Sequence, residues 1–189
     1  MKVVSLKDLP INEKMVCSIG NFDGFHIGHI KVLKKLKLIS EKTGFKSAVL
    51  TFLPHPQEFF TGKKLCKIVN LETKKEFLTN QGIDYLILIP FDKNFANLTK
   101  DEFINFLKNK IYCKYVIVGN SWRFGKNREG DVNFAKEYGK KIGINFIGID
   151  EEKIEGKKIG SSLIRELLKE GNIEKVNKIL GRTYCIKGK

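Results

Sequence analysis

Short apolar runs alternate along this chain with longer stretches whose apolar positions recur at helical spacing. Met15–Gly20 is an apolar run with strand character. Ile27–Glu41 is predicted helical, since Ile30, Leu33 and Leu36 share one face while Lys31, Lys34 and Lys35 point elsewhere, and Gly44 is a plausible stop. Lys46–Leu53 reads as a strand ended by Pro54 and Pro56. Glu72–Asn80 reads as a helix closed by Gly82, and Tyr85–Pro90, "YLILIP", as a continuous apolar strand. Thr99–Asn109 is predicted helical, with Thr99 as cap and Glu102 three residues on, a capping box. Tyr115–Gly119 and Asn145–Asp150 follow as strands. Asp131–Ile142, Ser161–Glu170 and Ile173–Leu180 follow as helices, the last two parted by Gly171.

Strands alternating with helices imply an α/β fold with a parallel sheet and helices on both faces. The strands read as nearly unbroken apolar runs, as strands covered on both sides must. Such sheets hold ligands at the carboxyl ends of their strands. Four unusual segments fall on that edge: "GNFDGFHIGH" after the first strong strand, "LPHP" after the second, "GNSWRFGKNREGD" after the strand ending at Val118, and "IGSSLIRELL" opening a late helix.

Composition narrows the possibilities. The 189 residues suit one domain, and the 42% hydrophobic content is that of a globular chain. No apolar run approaches the roughly 20 residues of a membrane span, and the N-terminal "MKVVSLKDLP" turns polar too early for a secretory signal. A cytoplasmic setting is expected. Cys17, Cys66, Cys113 and Cys185 form no CxxC pair, so neither a metal cluster nor a disulfide framework is expected, and the cysteines read as small hydrophobes in a reducing compartment. The net charge of +14 is mostly lysine. Lysine spread over solvated faces accounts for it better than a nucleic-acid partner, and the positive field also favours a small anionic substrate.

The segment Gly20–His29 places candidate chemistry at a strand-to-helix junction. A helix N-terminus offers unpaired N–H groups and the positive end of its dipole, a ready anion site. Gly20 and Gly24 permit turns and close backbone approach, and Gly28 keeps the first helical turn clear. His26 and His29 are three residues apart, so one face of that turn carries both rings. Asn21 and Asp23 read as helix caps or as contacts to Mg²⁺ through water. The pair of imidazoles beside backbone donors suits a polyphosphate better than a protein-held metal. Ser161 and Ser162 start another helix, and Arg165, one turn on from Ser161, carries a fork suited to phosphate oxygens. On their own these three read as caps and a surface cation. Phe59 reads as an aromatic core residue, and Trp122 as core or a surface platform.

The HxGH pattern after a first strand resembles the signature of the nucleotidyltransferase superfamily. More narrowly, "IGNFDGFHIGH", "LTFLPHP" (Leu50–Pro56), "VGNSWRFGKNREGD" (Val118–Asp131) and "IGSSLIRELLKEGNIEKVNKILGRTY" (Ile159–Tyr184) resemble, in order, the motifs of the prokaryotic FAD synthetases, the FMN adenylyltransferase module. The similarity spans nearly the whole chain. It implies a Rossmann-like nucleotidyltransferase fold, and transfer of AMP from ATP to FMN with Mg²⁺, giving FAD and pyrophosphate. By the same resemblance His26, His29, Asn21 and Arg165 are catalytic. Gly20, Asn21, Phe22, Asp23, Gly24 and Gly28 belong with the histidines to the ATP site, as do Ser161, Ser162 and Arg165. Pro54, His55, Pro56, Phe60, Ser121 and Trp122 fall to the flavin. No metal ligand is assigned, Mg²⁺ being carried mainly by the phosphates.

The resemblance has departures. Ser121 stands where the family usually has Asp or Asn, a weaker metal partner, and Gly160 and Ser162 stand in a motif that usually reads Ile-Ser-Ser-Thr. Residues 1–182 are expected to form the transferase domain. Residues 183–189 are expected to be a tail resembling the start of a riboflavin kinase module that does not follow, so riboflavin phosphorylation is not expected. The rivals are a nucleotidyltransferase with another phosphorylated acceptor, a flavin carrier without catalysis, and a basic nucleic-acid-binding protein.

Overall fold

The computed structural model describes residues 1–186. In chain order the strands are β1 (Lys2–Ser5), β2 (Met15–Ile19), β3 (Lys46–Leu53), β4 (Tyr85–Pro90), β5 (Cys113–Gly119), β6 (Arg123–Phe124), β7 (Gly130–Asp131), β8 (Asn145–Ile149), β9 (Lys153–Ile154) and β10 (Lys157–Lys158). The helices are α1 (Ile27–Thr43), α2 (Pro56–Thr61), α3 (Leu71–Asn80), α4 (Lys93–Ala96), α5 (Lys100–Phe106), α6 (Val132–Ile142), α7 (Ser161–Lys169) and α8 (Ile173–Leu180).

Six strands pair in the order β1-β4-β3-β2-β5-β8, every pairing parallel. Alternation along β2 divides the core between two faces. Met15, Cys17 and Ile19 join Phe103, Ile104 and Ala135 under α5 and α6. Val16 joins Leu33, Leu36, Leu78, Ile164 and Val176 under α1, α3, α7 and α8. This is the expected three-layer α/β architecture. After β4 the chain crosses back over the sheet to place β5 on the far side of β2, so the strand order reverses between β2 and β5. That reversal opens a crevice beyond their carboxyl ends.

Most predicted elements are present with ends shifted by a residue or two. Gly44 closes α1 in the left-handed conformation, and Thr99 with Glu102 forms the capping box of α5. The helix expected over Thr99–Asn109 changes at Leu107 into a wider turn running to Ile111. The patterns missed β1, the short helices α2 and α4, and the hairpins β6–β7 and β9–β10, all too short to show a period.

The cysteine expectation is corrected. Cys17 of β2 and Cys113 of β5 form a disulfide, while Cys66 and Cys185 are exposed thiols. β2 pairs with β5, with a register slip between Met15 and Val16, and the two cysteine Cα atoms lie 6.0 Å apart on these neighbouring strands. A separation of 96 residues hides that adjacency from the sequence. Tyr184, in the expected tail, is tied back by its N–H to Asn177 Oδ1 at 2.7 Å; residues 187–189 of that tail lie outside the described residues. Among the described residues no helix is long and apolar enough to cross a membrane.

Gly139 of α6 faces β8 at the closest approach of these elements. A Cβ there would lie 2.6 Å from a ring carbon of Phe146 and 2.7 Å from the Ile144 carbonyl oxygen. Gly139→Ala should therefore cost about 1–3 kcal/mol in urea unfolding despite alanine's better helix propensity. An unchanged or raised midpoint would show that α6 can back away from the sheet.

Candidate active site

The crevice at the strand-order reversal is a cavity of about 520 Å³, a volume suited to a small-molecule site. Its floor is the ends of β2, β5 and β8, at Ser18–Gly20, Val118–Gly119 and Ile149–Asp150. Three of the four sequence motifs line it strongly, and the "LPHP" segment reaches it through His55.

Gly20–His29 turns from β2 into α1. Gly24 has φ +93°, and Phe22 and Phe25 have φ +47°, an uncommon conformation for phenylalanine. Four carbonyls of this loop are held from other elements. Asn21 O accepts from Lys74 Nζ at 2.6 Å, Asp23 O from Ser161 Oγ at 2.7 Å, and Gly24 O and Phe25 O from Arg182 at 2.8 and 3.4 Å. Phe25 is buried against Phe77, with centroids 4.1 Å apart.

The cap of α1 is neither Asn21 nor Asp23. It is His26, whose Nδ1 accepts from the backbone N–H of His29 at 3.3 Å. Asp23 faces inward instead. Its Oδ1 accepts from the N–H groups of Ile68 and Val69 at 2.9 and 3.1 Å, and its Oδ2 pairs with Arg165. The carboxylate is used to dock the 66–69 segment, which removes it from the cavity wall.

His26 and His29 stack with ring centroids 3.7 Å apart. Gly28 makes room for this, since a Cβ there would lie 3.1 Å from His26 Nδ1. Burial pushes His26 down to about 4, with Lys158 adding to the shift. Burial, with His26 and Lys74 beside it, also holds His29 well below the usual histidine range. Both rings are therefore neutral near pH 7. Because Nδ1 of His26 accepts a bond, its proton sits on Nε2. The stacked rings are therefore not a cationic pair. His29 Nδ1 and Asn21 Oδ1 are buried without a hydrogen-bond partner, a state that costs free energy until a partner arrives.

On the opposite wall α7 starts at Ser161 with Gly160 at its cap position and no side-chain cap bond. Glycine there leaves the first N–H groups of the helix open, and Ser162 lines the cavity beside them. Arg165 reaches the cavity but is not a free surface cation, since its Nε also donates to Cys66 O at 2.8 Å. Lys158, which the sequence reading passed over, brings a cation from β10 to the rim and bonds Ser121 and Glu151. Ser121 and Trp122 both line the cavity, the indole stacked on Phe124 at 4.3 Å.

The structure does not bring every predicted residue to the site. Asp23 and Gly24 lie behind the cavity wall, and Pro54, Pro56 and Phe60 do not line the cavity. His55 lines it and also caps α2 through Nδ1. Phe60 is 70% exposed, and Phe59, read as core, is at the surface too, both edge-on to Phe91. The short helix α2 turns them outward. Lys74 lies outside the four motifs and Arg182 within the last of them, but neither was singled out, because each acts on backbone atoms far away in sequence.

Among the described residues no three His, Cys, Asp or Glu side chains cluster as a metal site. The cavity carboxylates Asp150, Glu151 and Glu152 are engaged by Asn120, Lys158 and Lys31 respectively.

The family described as FAD synthetase matches residues 8–163. A bifunctional riboflavin kinase/FMN adenylyltransferase of Buchnera aphidicola subsp. Schizaphis graminum is 36% identical over 182 residues, covering 95% of this chain and 58% of that protein. The protein of the same description from Escherichia coli strain K12 is 34% identical, covering 94% and 57%. The chain thus spans less than three fifths of the length of these relatives. Among solved structures, one described as a macrolide-efflux protein from Streptococcus pneumoniae superposes with a TM-score of 0.83 at 25% identity, over 96% of this chain and 60% of that one. A pantoate-β-alanine ligase from Francisella tularensis superposes with a TM-score of 0.52 at 14% identity, over 95% of this chain and 86% of that one, a likeness of fold.

Neutral His26 makes stability depend on pH. The unfolded imidazole takes its proton near 6.5 and the folded one near 4, so the unfolded state binds more protons between those values. Its contribution is complete above about pH 6.5 and is lost as pH falls toward 4, by up to about 3 kcal/mol. Unfolding followed across that window should show a gentler acid decline for His26→Gln than for the parent. Parallel declines would show that His26 protonates as readily folded as unfolded.

Proposed function

The chain belongs to the FAD synthetase family, and from that premise we propose that it transfers AMP from ATP to FMN, releasing pyrophosphate and forming FAD. A phosphate oxygen of FMN attacks the α-phosphorus of ATP in line, and the bond from that phosphorus to the bridging oxygen of pyrophosphate breaks. The second pKa of a phosphate monoester is about 6, so FMN brings an ionised nucleophile and no general base is required. What the site must supply is alignment and donors for charge on the phosphates.

The observation that carries this reading is the pair of stacked, neutral imidazoles on the first turn of α1, at the bottom of the crevice between β2 and β5. Their donor hydrogens, the N–H groups of α1 and the open start of α7 would receive the phosphates of ATP. Arg165 and Lys158 would supply cationic donors at the rim. Asn21 Oδ1, buried and without a partner, is an acceptor available to the nucleotide. Ser121 and Trp122, with His55, would face the flavin. Mg²⁺ bound to the phosphates would withdraw charge from the transferring and leaving groups, and the cavity carboxylates Asp150, Glu151 and Glu152 would be acceptors for its outer waters. We assign the described transferase to residues 1–182 as one domain, in a cytoplasmic setting.

With Mg²⁺ and ATP, FMN should be converted to a product of the mass of FAD. Riboflavin, which lacks the phosphate nucleophile, should give none. His29→Ala should lower kcat by about 10²–10³ with FMN affinity little changed, as loss of one preorganised donor does. An absence of FAD at every Mg²⁺ concentration would favour a flavin carrier. Near-normal kcat in His29→Ala would remove the ring from the chemistry.

A further inference from the structure

Among the described residues Lys74 is the only buried lysine, 9% exposed in the first turn of α3. Its ammonium is outside the cavity lining. Nζ donates to Asn21 O at 2.6 Å and to Thr51 Oγ1 at 3.3 Å, and Thr51 Oγ1 donates to the same Asn21 carbonyl at 3.5 Å. The three groups close a triangle behind the loop that leads from β2 to α1.

That placement is expensive. Taking an ammonium from water is costly, and a methionine of similar length would fill the space without the cost. Burial pushes Lys74 down to about 8, with Asp23 drawing it up and Lys67 pressing it down. A buried charge that a neutral isostere could replace points to a use other than stability.

The loop supplies the use. Phe22, Gly24 and Phe25 all have positive φ, and such backbone persists only where its surroundings hold it. Asn21 lies at the start of this strained segment. Its side chain lines the cavity with Oδ1 buried and unpartnered, while its carbonyl is the one Lys74 grips. We propose that Lys74 is a positioning residue, gripping the Asn21 carbonyl from behind so that the Asn21 side chain and the first turn of α1 stay aligned in the cavity. Its role in turnover rests on the reading of that cavity as the adenylyl-transfer site.

The test compares the full chain with Lys74→Met and Lys74→Arg by melting temperature, by amide hydrogen exchange over residues 20–25, and by kcat and KM for FAD formation. In Lys74→Met the melting temperature should hold or rise. Loop exchange should quicken about 10–100-fold, the loss of one charge-assisted bond. Turnover should fall by a comparable factor with KM for ATP little changed, as misplacement at a distance does. Lys74→Arg, which keeps charge and donors, should restore much of the loop protection. Unchanged loop exchange in Lys74→Met would overturn the proposal. So would faster exchange with normal kcat, or a methionine variant that fails to fold, which would make the ammonium a support of the core. A parent chain that forms no FAD would count against the transfer reading alone, and loop exchange would still decide whether Lys74 holds the loop.

Discussion

The candidate cavity depends on one constraint: the carbonyls of Asn21, Asp23, Gly24 and Phe25 are bound from behind by Lys74, Ser161 and Arg182. These donors come from α3, α7 and the segment after α8, so the loop between β2 and α1 is where the helices of one face converge. Asp23 adds the inward contact, taking the N–H groups of Ile68 and Val69 and the Arg165 guanidinium. Removing one partner of a buried pair of this kind leaves an uncompensated charge, which costs about 3–5 kcal/mol. Arg165 thus lines the cavity and also ties the loop to α7.

Electrostatics follows from the same burial. Two imidazoles sealed against each other stay neutral, so the first turn of α1 contributes donors without fixed charge. Positive charge is supplied one layer out, by Lys158 and Arg165 at the rim and by Lys74 behind the loop. A chain with net charge +14 adds a general attraction for anions. The rim also bears on position 121. Ser121 accepts from Lys158 beside Glu151, so an acidic side chain there would meet both a cation to pair with and a carboxylate to repel it.

Much of this was legible in the sequence. Continuous apolar runs mark strands covered on both faces and helical spacing marks one buried helix face, and these located β2 to β5, β8 and the longer helices. The glycines, histidines and serines of the motifs mark strand-to-helix turns, and a parallel sheet gathers such turns on one edge. The resemblance to the FAD synthetase motifs put His26, His29, Asn21, Ser161, Ser162 and Arg165 in an ATP site and Ser121 and Trp122 in a flavin site, and all eight line the one cavity. The short elements escaped because they carry neither a continuous apolar run nor a helical period, and α2 turns Phe59 and Phe60 outward.

The tertiary structure decided everything that joins residues remote in sequence. Lys74 meets Asn21 across 53 positions, Arg165 meets Asp23 across 142, Arg182 meets Gly24 across 158, and Cys17 pairs with Cys113 across 96. It also decided the charge state of the histidines, since burial is the main cause of both shifts, and it is the packing of the elements that excludes water from the rings. Local pattern determines which element forms and which side faces inward. Which buried donor finds which carbonyl depends on how the elements pack, and no period along the chain records that.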